Sequence, residues 1–93
     1  MKNLKLFPIV GSFAENKDTA RDIRMKNIMP ILEKGDNLVL DFEKVESITQ
    51  SFAHALLSDL IRNYGIDVLD RVSFANCNKV VTKIIEIVVD YMQ

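Results

Sequence analysis

Ser51 and His54 stand three residues apart in the stretch SITQSFAHALLSDLI, whose apolar spacing predicts a helix, so hydroxyl and imidazole share one face. A serine beside a general base is the pairing that nucleophilic catalysis uses. That chemistry also needs a sharp elbow for the serine, a carboxylate to orient the base and backbone N–H groups for an oxyanion. The glycines of a G-x-S-x-G elbow are absent around Ser51, and no acidic residue is spaced to orient His54. The pair predicts no catalysis, and His54 reads as a solvated histidine. His54 and Cys77, the one histidine and the one cysteine, make no metal-ligand set. Gly11, Gly35 and Gly65 sit singly at turns, so there is no glycine-rich phosphate loop. Neither a metal nor a cofactor is expected.

The same polar residues have a plainer use where strand gives way to helix. Ser47-x-x-Gln50 has capping-box spacing, and Thr49 is the rival cap if the helix starts two residues later. Further along, Ser51, His54, Ser58 and Arg62 form a polar stripe that reads as a solvated face. Cys77 would open the last helix, where the dipole lowers a thiol pKa, but a small buried hydrophobe is the better reading.

The elements that must position these residues follow from a chain of 93 residues, one domain near the low end of what a single core can hold. With 48% apolar and 27% charged residues the composition is globular rather than disordered. Net charge is −1 with scattered basic residues, which argues against a nucleic-acid partner. A lone cysteine excludes an intrachain disulfide. The N-terminal apolar stretch is too short for a signal peptide and is interrupted by Pro8. No apolar run approaches the roughly 20 residues needed to span a bilayer. A cytoplasmic, membrane-free protein is expected.

Residues 4–10 (LKLFPIV) read as a strand, with Pro8 pushing it toward a sheet edge or bulge. The loop GSFAENKD ends in capping residues, and residues 17–34 carry apolar positions at helical spacing. Pro30 inside that helix predicts a kink or break near Met29, and Gly35 supplies the stop. NLVLDF reads as a central strand buried on both faces. The next helix puts Phe52, Ala53, Leu56, Leu57, Leu60, Ile61 and Tyr64 on one side, and Gly65 closes it. RVSFAN is a third strand, and a final helix follows, capped by Asn76 or Asn78. Alternating strands and helices predict an α/β fold: a small, mostly parallel sheet of three or four strands with about three helices, joined by right-handed crossovers.

The run NLVLDFEKVESITQSFAHALLSDLI resembles the core of STAS domains, found in anti-sigma factor antagonists and in sulfate transporter tails. Those have a hydrophobic strand ending in Asp or Asn, then a V-x-x-x-D-S-S-G turn, then a helix. Here the strand is 38–42 and the turn hydrophobe Val45; the motif's Asp falls on Thr49, its two serines on Gln50 and Ser51, and its Gly on Phe52. The chain is more similar still to STAS-like domains of unknown function that carry D-F-x-x-V and then Ser-Phe, here DFEKV and QSF, and FANC after the third strand fits the same group. The resemblance covers most of residues 10–92. It implies a STAS-like fold, a regulatory protein partner such as a histidine-kinase-like ATPase, and phosphorylation of the turn's first serine. Gln50 at that position cannot accept phosphate; Thr49 and Ser51 flank it with hydroxyls. Relative to a full STAS domain the opening hairpin and the last strand–helix unit are expected to be missing, which leaves a thin sheet with exposed edges.

The final helix carries more apolar surface than one sheet face needs. At 100° per residue its apolar positions sweep roughly 200°, about twice the stripe of an ordinary surface helix. The margins, Ile87 and Val89, are expected to meet another helix or a second copy in a homodimer. The function expected is a non-catalytic interaction module, docking through Thr49, Gln50, Ser51, His54 and Ser58 at the N-terminal end of helix 49–64. The alternative is a nucleotide- or anion-binding sensor using the helix N-termini near 49–51 and 76–78.

Overall fold

The computed structural model describes residues 2–92. Strands β1 (Lys2–Lys5), β3 (Leu38–Asp41) and β5 (Val72–Ala75) form a parallel sheet with β3 in the centre. Lys2, Leu38 and Val72 share one rung of this sheet, and Leu4, Leu40 and Phe74 share another on the same face. Leu38, Leu40 and Val72 are buried, whereas on the opposite face Asn3 and Ser73 are exposed and Val39 is half-buried. The central strand is therefore covered on one face, not on both as its sequence suggested. Both crossovers step the same way across the sheet, β1 to β3 to β5. Right-handed connections that step in one direction put their helices on one side, which leaves the other side open.

Residues 4–10 are not one strand. β1 ends at Lys5, and Phe7–Val10 form a single helical turn, α1, with Pro8 in its first positions. Proline is tolerated there because the first N–H groups of a helix have no intrahelical partner. Gly11, at φ +73°, closes the turn by donating its N–H to the Phe7 carbonyl. Leu6, between strand and turn, is fully buried and anchors both.

A second, two-rung parallel ladder joins β2 (Phe13–Ala14) to β4 (Ser47–Ile48). Helix α2 (Lys17–Ile23) starts just after β2 and α4 (Gln50–Tyr64) just after β4. The ladder thus sets the two helix N-termini side by side, and α2 packs along α4. Asn16 caps α2, its Oδ1 accepting from the N–H groups of Asp18 and Thr19.

The helical path through 17–34 is interrupted next to Met29, as expected, by a π-turn rather than by a proline kink. Arg24–Ile28 form a π-turn, in which the Met29 N–H reaches back five residues to the Arg24 carbonyl. Pro30 then falls in the first turn of α3 (Met29–Glu33), where its missing N–H costs little. Gly35, at φ +85°, ends α3; its N–H bonds the Leu32 carbonyl and that of Asp36 the Ile31 carbonyl, a Schellman closure.

Phe52, Ala53, Leu56, Leu57 and Leu60 bury the inner face of α4, and Ile61 and Tyr64 pack at its edge. After a 3-10 turn, Ile66–Asp70, and β5, helix α5 (Lys79–Met92) packs on α4 with Val81, Ile85 and Val88 buried. Arg71 ties these layers together. Its guanidinium donates to the carbonyls of Leu32 (2.8 Å), in the last turn of α3, and Asp36 (3.0 Å), beyond its end. Arg71→Met is expected to cost about 2 kcal/mol, since two charge-assisted hydrogen bonds are lost, although the Leu32 carbonyl keeps the Gly35 N–H. A thermal melt should shift down by roughly 8–16 °C for a domain of this size.

Candidate functional site

The DFEKV and FANC segments meet, and what they build is structural. The Asp41 carboxylate accepts from the Glu43 N–H and from the Asn76 side-chain amide, both at 2.9 Å. Beside this clasp the rings of Phe42 and Phe74 lie 6.4 Å apart. The first bond closes an Asx turn after β3, and the second holds the end of β3 to the end of β5. Val45 completes the turn by donating its N–H to the Phe42 carbonyl, and both side chains are buried. Asn76 has φ +56°, a left-handed conformation that asparagine tolerates better than most residues.

The Asn76 amide, then the Glu43 N–H, hold the Asp41 carboxyl below its ordinary value of 3.8; burial opposes them and nearby Lys5 assists. A carboxyl depressed in the native state stabilises the fold above its unfolded-state pKa, and the contribution is lost as pH falls through the native value. Asn76→Gly keeps the left-handed backbone accessible and removes only the amide donor. It is expected to cost about 1–2 kcal/mol at pH 7 and less in acid. Urea titrations at pH 7 and at successively lower pH check this: the two proteins should converge as the carboxyl is protonated.

Cys77 lies before the helix, because Asn78 is the N-cap of α5: its Oδ1 accepts from the Val81 N–H at 2.8 Å, and its amide donates to the Glu46 carbonyl. Burial first, then the charge of Asp41, push the thiol up rather than down, which leaves Cys77 as a half-buried packing residue.

The polar stripe of α4 has a different fate. It forms the floor of an open groove of about 670 Å³ between three helices. Gln50, Ser51, His54, Ala55 and Ser58 line the floor, with Asp59 and Arg62 towards its C-terminal end. One wall comes from α2 and the π-turn, through Lys17, Arg21 and Arg24. The other comes from α5, through Ile87, Val88 and Tyr91. One wall is basic and the other apolar.

Four of the five expected docking residues, Gln50, Ser51, His54 and Ser58, line this groove. The fifth is the helix cap: the Thr49 hydroxyl accepts from the Phe52 N–H at 3.1 Å, so Ser47-x-x-Gln50 is not the cap in use. Ser51 is exposed in the first turn of α4. The His54 and Tyr91 ring centroids lie 6.4 Å apart with the planes tilted by 54°, and Asp59, the acidic residue of the lining, is engaged by Arg24 (3.0 Å) and Arg62 (3.5 Å). Among the described residues no His, Cys, Asp and Glu cluster could hold a metal, and no helix is long and apolar enough to cross a membrane.

The α5 margins divide. Val89 is half-buried against the core, whereas Ile87 is 38% exposed on the groove wall, with Tyr91 one turn further at 80%. The surplus arc is therefore one-sided. Sequence reasoning missed the basic wall, although Lys17, Arg21 and Arg24 stand at i, i+4 and i+7, a spacing that puts three cations on one helix face.

A family model described as a STAS-like domain of unknown function (DUF4325) matches residues 20–82, more than half of the chain. The floor of the groove falls inside that span, and Lys17, Ile87 and Tyr91 fall outside it. No curated protein and no solved structure matches the chain.

Proposed function

The chain belongs to the family of STAS-like domains of unknown function, and on that footing we propose that it is a non-catalytic cytoplasmic module that docks a regulatory protein in the α2–α4–α5 groove. The groove itself carries this reading. A helix face that a lone α4 would show as ordinary solvated surface lies recessed between two walls, with Gln50, Ser51, His54 and Ser58 presented along it. The resemblance to anti-sigma factor antagonists suggests the partner class, a histidine-kinase-like ATPase. The thiol and the histidine give no support to a catalytic reading, since the first is pushed up and, among the described residues, no hydrogen bond to a carboxylate orients the second.

Ser51 also fits a regulatory modification better than Thr49. Its hydroxyl is exposed at a helix N-terminus beside the basic wall, where added negative charge is favoured, whereas the Thr49 hydroxyl is committed to the cap.

The test begins with a photo-crosslinking side chain at position 54 in the source cell, followed by calorimetry on the protein it traps. Gln50→Ala and Ser51→Glu should each change the affinity of that partner at least tenfold while circular dichroism and melting temperature stay within error. A trapped partner that binds both variants with wild-type affinity would place the interface elsewhere.

A further inference from the structure

We infer that the occupant of the groove is an acidic amphipathic helix of the partner protein, an inference that rests on the docking function proposed above. Charge is the first argument. The lining brings together four cations, Lys17, Arg21, Arg24 and Arg62, and one carboxylate, Asp59, in a chain whose net charge is −1. Asp59 is already shared between Arg24 and Arg62. Arg21 meets Asp18 only at 4.0 Å between exposed side chains, a pair worth almost nothing to the fold. Among the described residues Lys17 has no carboxylate within ion-pair distance. The unspent positive charge of the groove thus sits along α2, at Lys17 and Arg21.

The spacing of that charge favours an elongated occupant over a single small anion. Lys17 and Arg21 are one turn apart on a helix, about 6 Å along its axis, and the groove floor runs from Gln50 to Arg62, about 18 Å. A helix of roughly 12 residues has that length, and carboxylates at i and i+4 along one flank repeat the same 6 Å. The opposite wall supplies the second half of the match. Ile87 and Tyr91, again one turn apart and both exposed, offer an apolar strip to the other flank of the same helix. A basic wall facing an apolar wall across a polar floor fits a helix with one acidic and one apolar side.

The probe is a synthetic amphipathic helix of about 14 residues with glutamates on one flank and leucines on the other. Two twins carry glutamine or lysine in place of glutamate. Amide chemical shifts of the full chain are followed during titration, alongside inorganic phosphate and ATP as separate arms. The glutamate peptide should saturate the shifts of Arg21, Ser51, His54 and Tyr91, and bind at least tenfold tighter than either twin. Lys17→Glu with Arg21→Glu should weaken it at least tenfold, as should raising salt from low to high ionic strength.

Equal binding of the glutamine or lysine twin in the groove would overturn the acidic occupant and leave the docking function standing. Phosphate or ATP reproducing the same shifts at equal or lower concentration would overturn it in favour of an anion site. A wild type that sediments as a dimer, with Ile87 and Tyr91 amides shifting on dilution, would overturn it in favour of a second copy. The docking function itself falls only if the trapped partner ignores Gln50→Ala and Ser51→Glu.

Discussion

Phe52→Gly, which installs the Ser-Gly pair of STAS antagonists, is expected to destabilise the protein by about 3–6 kcal/mol. Phe52 is fully buried in the first turn of α4, within the cluster that joins α4 to the rest of the core. Removing a buried phenylalanine side chain down to the first carbon costs about 3–5 kcal/mol, because a cavity remains where the ring stood. Exchanging alanine for glycine in a helix adds up to about 1 kcal/mol. A chain of this length has a total stability on the order of 5–14 kcal/mol, so the variant should be largely unfolded or should melt at least roughly 12 °C lower. Phe52→Leu keeps most of the volume and should lose no more than about 1.5 kcal/mol. Urea denaturation of the three proteins decides the matter. A Phe52→Gly protein within 1 kcal/mol of wild type would show that this core closes without the ring. The Ser-Phe pair is thus two things at once, a surface serine facing the groove and, one residue on, a ring holding α4 down.

Elements that carry several residues of one period were legible in the sequence. The apolar face of α4 was assigned residue by residue because it spans three or more turns, whereas α5 was read only as one wide arc, which did not separate the buried Val81, Ile85 and Val88 from the exposed Ile87 and Tyr91. β3 and β5 were found by their short apolar runs, with the turns that bound them. The two-residue strands β2 and β4 were not, since two residues define no period, yet they decide that α2 and α4 start together. Residues 4–10 were misread because a continuous apolar run serves a strand or a buried helical turn equally, and Pro8 is compatible with both. The central strand was misread on its open face because face coverage depends on crossover direction, which no local pattern encodes. The groove divides along the same line. Its floor was legible as a stripe on one helix, but its walls come from α2 and α5, and only tertiary packing brings them alongside. Asp41 and Asn76 were read as marks of resemblance; their bond lies between residues far apart in sequence.

Arg24 was invisible to sequence reasoning for that reason as well, and it carries the second large effect. It is 7% exposed, with Nη1 donating to the Ala55 carbonyl at 2.7 Å and Nη2 paired with Asp59 at 3.0 Å, while Nε finds no partner. Asp59→Ala would leave the guanidinium buried with a single acceptor. Breaking a fully buried pair in this way costs about 3–5 kcal/mol, and because the Asp59 side chain is 37% exposed, about 2–3 kcal/mol is expected here. Arg24→Met should cost no more than about 1 kcal/mol, since it removes the charge, the unpartnered Nε and the need for Asp59 together while filling most of the volume. The asymmetry is the signature of a cation that the fold tolerates rather than requires. In the double variant Asp59→Ala adds little to Arg24→Met, giving a coupling of about 2 kcal/mol by denaturant titration. A coupling below 0.5 kcal/mol would mean that the pair behaves as a surface contact. Arg24→Met, being folded, is then the protein in which to ask of the groove what a buried charge in its wall contributes. If Arg24 only holds α2 against α4, the acidic peptide should bind that variant as it binds wild type; if its field reaches the groove, affinity should fall while Lys17 and Arg21 remain in place.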